Sequence, residues 1–185
     1  MKHGELEFWT LCRTLGNAMR IRLAFLAIDG GNIGVNVSRS AEAVALGEPA
    51  ASTYLRQLAA HDILLRQRSG ISVNYVVHAH GVGIARKMLD ILMKSRSERL
   101  DADDMAGFLH ALGNATRMEA VRAMKRNRGD IAEISRRVSV PQLTLFRQMK
   151  VLVDAQIAAG DTSGRYGLLP QNGWFRNAVL DLATE

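Results

Sequence analysis

The chain has 185 residues, 48% hydrophobic and 23% charged, an ordinary globular balance with room for two domains of roughly 80–90 residues each. No apolar run approaches the roughly 20 residues that cross a bilayer, and Glu5 and Glu7 interrupt any secretory core behind Met1-Lys2-His3-Gly4, so neither a span nor a leader is expected. The formal charge of +6 points to a polyanionic partner and is unevenly held: residues 1–97 carry 12 basic and 7 acidic side chains, net +5, while residues 98–185 carry 12 and 11, net +1.

The first element is a helix over Glu5–Leu15, whose apolar stripe Phe8, Leu11, Cys12, Leu15 follows the i, i+3, i+4, i+7 rule. Cys12 lies on that stripe as a core thiol, and a single cysteine fits a reducing cytoplasm. Gly16 ends the helix as a left-handed C-cap, and Asn17 caps the next one, Ala18–Ile28. Arg20 sits in that helix's first turn, where the dipole disfavours a cation. It implies a carboxylate or phosphate partner, or plain solvation. Gly30-Gly31-Asn32 connects to a short helix, Ser40–Leu46. Pro49 then opens a longer helix through Leu58, with Ala51, Leu55 and Leu58 on its apolar face. Next come Ile63-Leu64-Leu65, a basic hairpin tip Arg66-Gln67-Arg68, the turn Ser69-Gly70 and an alternating strand Ile71–Val77. A trailing helix spans Val82–Lys94, and residues 96–104 form a polar linker.

The same order then recurs. Leu15-Gly16-Asn17-Ala18-Met19-Arg20 returns as Leu112-Gly113-Asn114-Ala115-Thr116-Arg117, 97 residues later. Helices are expected at Met105–Leu112, Ala115–Lys125, Ile131–Val138, Leu143–Leu152 and Trp174–Ala183. A shorter hairpin runs from Ile157 through Asp161-Thr162-Ser163-Gly164 to Leu169. Leu145, Met149 and Leu152 match Ala51, Leu55 and Leu58 at an offset of 94, and Pro141 plays the part of Pro49. The fold expected is mainly α with small β-hairpins (α+β). Compact helices followed by a two-stranded ribbon make a winged helix-turn-helix. The organisation is two tandem copies in a pseudo-two-fold repeat: residues 1–95, a linker at 96–104, and residues 105–185.

Leu15–Leu23 and Leu112–Met118 resemble the leucine-(ala/gly)-(asp/asn)-pro-thr-arg opening of ArsR-type bacterial repressors. Ser52-Thr53-Tyr54-Leu55-Arg56-Gln57-Leu58 and Phe146-Arg147-Gln148-Met149-Lys150-Val151-Leu152 are similar to that family's ser-arg-his-leu-lys-val-leu recognition helix. The opening strings depart from the family in lacking proline, and the turn before Pro49 is about two residues short. The resemblance implies pairing through first and last helices, here Glu5–Leu15, Val82–Lys94, Met105–Leu112 and Trp174–Ala183, either within one chain or by self-association.

A recognition helix reads bases from its exposed face in the major groove. That face is expected to carry Ala50, Ser52, Thr53, Tyr54 and Arg56 in the first copy, and Thr144, Arg147, Gln148 and Lys150 in the second. Arg147 suits guanine and Gln148 adenine, whereas small hydroxyls suit phosphates and water. Tyr54 either bonds a phosphate or completes the packing. Phe146 either meets a thymine methyl or marks a protein-facing surface. Arg66 and Arg68 clamp a phosphate or enter the minor groove, or are solvated charges, and Asp161 repels the DNA backbone.

Relatives of this type often sense metals, but His78 and His80, placed on one face of a strand, make only a weak pair, with Asp90 the only acid nearby. No cofactor is expected, and no phosphate loop, carboxylate pair or nucleophile motif suggests an enzyme. Met19, Met88, Met93, Met105, Met118, Met124 and Met149 fill core positions or line a cavity for an unspecified small-molecule effector. The expected function is a cytoplasmic, sequence-specific regulator that binds double-stranded DNA and represses by occupying its operator. The alternative is a tandem winged-helix protein–protein module of the kind found in accessory subunits of chromosome-condensing complexes. Exposed arginines at 66, 68 and 147 favour the first reading, and an exposed apolar patch favours the second.

Overall fold

The computed structural model describes residues 7–70 and 72–185, so the expected helix start at Glu5 and the hairpin residue Ile71 lie outside the described residues. In chain order the elements are α1 (Phe8–Leu15), α2 (Ala18–Asp29), β1 (Val35–Asn36), α3 (Val37–Ala43), α4 (Glu48–Ala60), β2 (Leu64–Ser69) and β3 (Ser72–Val77). They continue as α5 (Gly83–Ser97), α6 (Ala102–Leu112), α7 (Ala115–Arg126), α8 (Ile131–Val138), α9 (Gln142–Asp154), β4 (Ala158–Gly160), β5 (Tyr166–Leu168) and α10 (Trp174–Thr184). The architecture is mainly helical with two small antiparallel sheets, an α+β arrangement.

The chain divides into two units whose main boundary, between Ala106 and Gly107, lies two residues past the expected start of the second copy, but the first helix is placed differently. Residues 17–106 form the first, and Phe8–Gly16 joins residues 107–185 in the second. Helix α1 was expected to belong with residues 1–95. It packs instead within the second unit, where it meets α10. Its stripe is fully used, since Phe8, Leu11, Cys12 and Leu15 are all buried. The segment expected as a linker, 96–104, holds the end of α5 at Ser97 and the start of α6 at Ala102, with residues 98–101 connecting them. Asp101 starts α6 by accepting from the backbone N–H groups of Asp103 and Asp104 at 2.9 and 3.0 Å.

In the first unit α2 packs on α4, α5 and β3, while α3 and β2 pack on α4. Ile21, Leu23 and Ala24 of α2 and Leu55 and Leu58 of α4 are buried there. Each buried leucine is worth about 1.5–3 kcal/mol of transfer free energy. In the second unit α7 takes the place of α2, contacting α8, α9, β5 and α10. Its buried Met118, Ala120 and Val121 stand 97 residues after Ile21, Leu23 and Ala24.

From α3 through the hairpin the repeat runs at an offset of 94, and the backbone repeats with the sequence. Asn36 caps α3 and Asp130 caps α8, the latter in a reciprocal capping box with Glu133. Left-handed residues recur in pairs, Ala45 with Ser139 and Asp62 with Gln156. Helices α4 and α9 coincide end to end at that offset, so the turn before α4 is not shortened. The three-residue difference lies earlier, between α2 and α3. There the first unit inserts β1, which pairs with β3 and gives the sheet order β1-β3-β2. The second unit has only the isolated bridge Gly129–Tyr166 beside its two-stranded sheet. Because Asn36 supplies the cap, α3 occupies Val37–Ala43 rather than the expected Ser40–Leu46.

The repeated glycines differ from expectation. Neither Gly16 nor Gly113 is left-handed. A Cβ on Gly16 would stand 2.7 Å from His110 Cα, and one on Gly113 would stand 2.7 Å from Arg13 Cα. The two glycines are where α1 and α6 approach backbone to backbone. Asn17 and Asn114 do cap as expected, accepting from the N–H groups of Arg20 and Arg117 at 3.2 and 3.1 Å.

Candidate nucleic-acid interface

The expected site residues fall on two helices and one hairpin. In α4, Pro49 lies in the first turn, and buried Ala51, Leu55 and Leu58 turn the opposite side outward. Thr53 and Arg56 are exposed and Ser52 half-buried. The Thr53 hydroxyl donates to Pro49 O at 2.9 Å, and Arg56 folds back to Ser52 O and Thr53 Oγ1, both at 3.3 Å. These are exposed, local bonds of the kind that a phosphate can displace. Tyr54 is half-buried, with the Arg20 guanidinium 5.4 Å from its ring centroid. Arg20 also donates to Gln57 Oε1 at 2.8 Å, and burial pulls its guanidinium pKa below the ordinary value.

Arg66 and Arg68 were expected at the hairpin tip. They lie instead inside β2, opposite Tyr75 and Val73, and the chain reverses beyond Ser69. Two residues apart on a strand, they project from one face about 6.6–6.8 Å apart. Both are exposed, and among the described residues neither has a hydrogen-bond or ion-pair partner in the structure. Sequence reasoning missed Arg39, which is exposed in the first turn of α3, the helix that packs on α4.

The second unit presents a different surface. In α9, Thr144, Arg147 and Lys150 are exposed, but Lys150 is tied to Asp154 at 3.3 Å. Gln148 is half-buried and accepts from Arg117 Nη1 at 2.8 Å. It stands 94 residues after Tyr54, and both contact the arginine of the repeated string. Gln148 is thus engaged by Arg117 in this structure. Arg117 is pulled down in pKa by burial, as Arg20 is. Alongside Arg147 the outer face carries Leu143, Phe146 and Val153, which are 65%, 54% and 38% exposed. The spacing 143, 146, 150, 153 puts them in one stripe, which sequence reasoning saw only at Phe146.

In the second hairpin the cations are already engaged. Arg128 pairs with Asp161 at 3.2 Å and Arg165 with Glu133 at 3.3 Å. Asp161 also organises its own turn, accepting from the Ser163 hydroxyl at 2.6 Å and from the N–H groups of Ser163 and Arg165 at 3.0 Å each. Its charge is thus compensated locally. The Ser163 hydroxyl bond above all, then the Arg165 N–H, holds the carboxyl below the usual carboxylate range. Because the folded pKa is the lower one, the turn gains stability above the unfolded value of about 3.9 and loses it as pH falls through the folded value. A carbon-detected NMR titration is expected to place the Asp161 midpoint below about 3.9. An ordinary midpoint would show that the turn does not form.

The histidine pair is not on a strand. β3 ends at Val77, and the chain turns at once, with Gly81 N–H donating to His78 O at 2.9 Å. His78 Nδ1 faces Asp62 at 3.8 Å, and Asp90 is paired with Arg86 at 2.8 Å. Among the described residues no group of three metal-binding side chains gathers anywhere. Burial raises the Cys12 thiol far above its ordinary pKa, which leaves it inert. Among the described residues no helix is long and apolar enough to cross a membrane. Comparison with family models, curated proteins and solved structures returns no match to this chain.

Proposed function

We propose that each unit is a winged helix-turn-helix and that the chain is a sequence-specific regulator of transcription, binding double-stranded DNA and repressing by operator occupancy. The observation that carries this reading is the pair of exposed guanidinium groups of Arg66 and Arg68 on β2, without a partner among the described residues, in the same unit as the polar outer face of α4. In this reading α4 enters the major groove, with Thr53 and Arg56 outward, while β2 and β3 lie along the backbone as a wing. Arg66 and Arg68 there add sequence-independent attraction, and Arg147 of α9 adds a guanine contact in the second unit.

The test is selection of genomic fragments by the purified protein at low and higher salt. Selected sites with steep salt dependence are expected. Arg66→Ala/Arg68→Ala is expected to weaken binding uniformly across sequences, on the order of 10- to 100-fold, and to reduce the slope of log K against log salt by about 2. Binding without salt dependence, or without a selected sequence, would overturn the reading.

A second reading is favoured by one observation, the exposed stripe Leu143, Phe146, Val153 on α9, which suits a protein partner better than bases. Leu143→Ser/Phe146→Ser separates the two. Unchanged DNA selection assigns α9 to a protein contact, whereas lost selection assigns it to the groove.

A further inference from the structure

The first unit has an open groove of about 820 Å³ beside α2 and the α5–α6 turn, and every residue lining it belongs to that unit. Its apolar wall is Phe25 and Ile28 from α2, Met93 from α5 and Leu100 from the turn. Met93 is 42% exposed, whereas Met88, Met105, Met118, Met124 and Met149 are buried, so it is open to the groove rather than spent on the core. The volume falls within the range of small-molecule sites.

Of the charged residues lining the groove, Arg22, Asp29 and Arg96 are matched by an opposite charge, while Arg99 and Asp101 are not. Arg96 holds Asp29 through two nitrogens, Nε at 3.0 Å and Nη2 at 2.7 Å, and its guanidinium stands 5.7 Å from the Phe25 ring centroid. Arg22 is bonded to Asp103, and Asp101 is engaged at the start of α6. Arg99 lines the groove, is exposed, and among the described residues its side chain has no hydrogen-bond or ion-pair partner. Its backbone is left-handed, φ +57°, just past the end of α5. The four other described non-glycine residues of that kind belong to the repeated scaffold, in pairs 94 residues apart, and Arg99 falls outside it. Glycine would suit this backbone with less strain, yet the position carries a long cationic side chain beside an apolar wall.

We propose that this groove binds a small amphipathic organic anion, its apolar body against Phe25, Ile28, Met93 and Leu100 and its single carboxylate on Arg99. A neutral body alone would leave the Arg99 guanidinium unanswered, and a bare inorganic anion would leave the apolar wall wet. This binding does not rest on the reading of the chain as a DNA regulator.

The experiment is a titration of the full chain with decanoate, followed by the ¹³C-methyl signal of Met93 and by calorimetry. Decanol and inorganic phosphate are the comparison ligands. Saturable binding of decanoate is expected, with Kd on the order of 1 mM or tighter, while decanol and phosphate bind at least about tenfold more weakly. Arg99→Gly relieves the backbone while removing the charge, so it is expected to keep the thermal stability and to weaken decanoate at least about tenfold. Arg99→Gln repeats the test should the glycine variant fold poorly. No saturable shift at Met93, equal binding of decanol and decanoate, or unchanged affinity in the Arg99 variants would overturn the proposal.

Discussion

Gly16→Ala combined with Gly113→Ala is expected to lower Tm on the order of 10 °C. Each added Cβ would stand 2.7 Å from a backbone Cα across the crossing, His110 in one case and Arg13 in the other. Backbone cannot swing aside as the end of a flexible side chain can, so α1 and α6 must separate. Overpacking of this kind costs roughly 1–3 kcal/mol per site, and a chain of this length loses about 2–4 °C per kcal/mol. Calorimetry on the two single variants and the double checks it. The same experiment distinguishes close approach from the left-handed cap that the motif suggests. Asparagine tolerates a left-handed C-cap, so Gly16→Asn and Gly113→Asn would be mild if capping were the role. They are expected to be at least as damaging as alanine.

The close approach at Gly16 and Gly113 marks where local sequence rules stop. Local rules found nearly every helix, because 3.6-residue stripes such as Phe8, Leu11, Cys12, Leu15 are set by the chain's own neighbours. Caps were equally legible at Asn17 and Asn114, whose side chains act three residues away. What failed was non-local. A glycine after a helix reads the same whether it caps or lets another backbone pass, and only the position of α6 against α1 decides. The membership of α1 in the second unit is likewise a contact across the length of the chain. β1 has two residues, too few for alternation to show, and it exists because β3 lies alongside. Arg66 and Arg68 were legible as exposed cations, but the register that places them inside β2 depends on a reversal beyond Ser69. Gln148 reads as an outward group until Arg117, 31 residues earlier, is seen to hold it.

That last pairing carries the second large expectation. Arg117 bonds three groups at once: the carbonyls of Ala111 and His110 at the end of α6, and Gln148 Oε1 on α9. It therefore joins the end of one helix to the flank of another with a single planar fork. Arg117→Met keeps the length of the stem but leaves those three acceptors to whatever water can reach them. Hydrogen bonds from a charged donor contribute about 1.5–3 kcal/mol each, and water recovers part of that at a half-buried site, so a net loss of roughly 2–4 kcal/mol is expected. Arg117→Lys should recover little, since a point-like ammonium cannot span the three acceptors. Gln148→Leu removes one arm, and a double-mutant cycle with Arg117→Met is expected to give a coupling of about 1 kcal/mol. Coupling near zero would mean that the two side chains do not meet in solution. The cycle also bears on function. If Gln148 belongs to this clamp, Gln148→Leu lowers stability while the DNA sequence selected by the protein stays the same. A changed selected sequence with unchanged stability would return Gln148 to the reading face of α9.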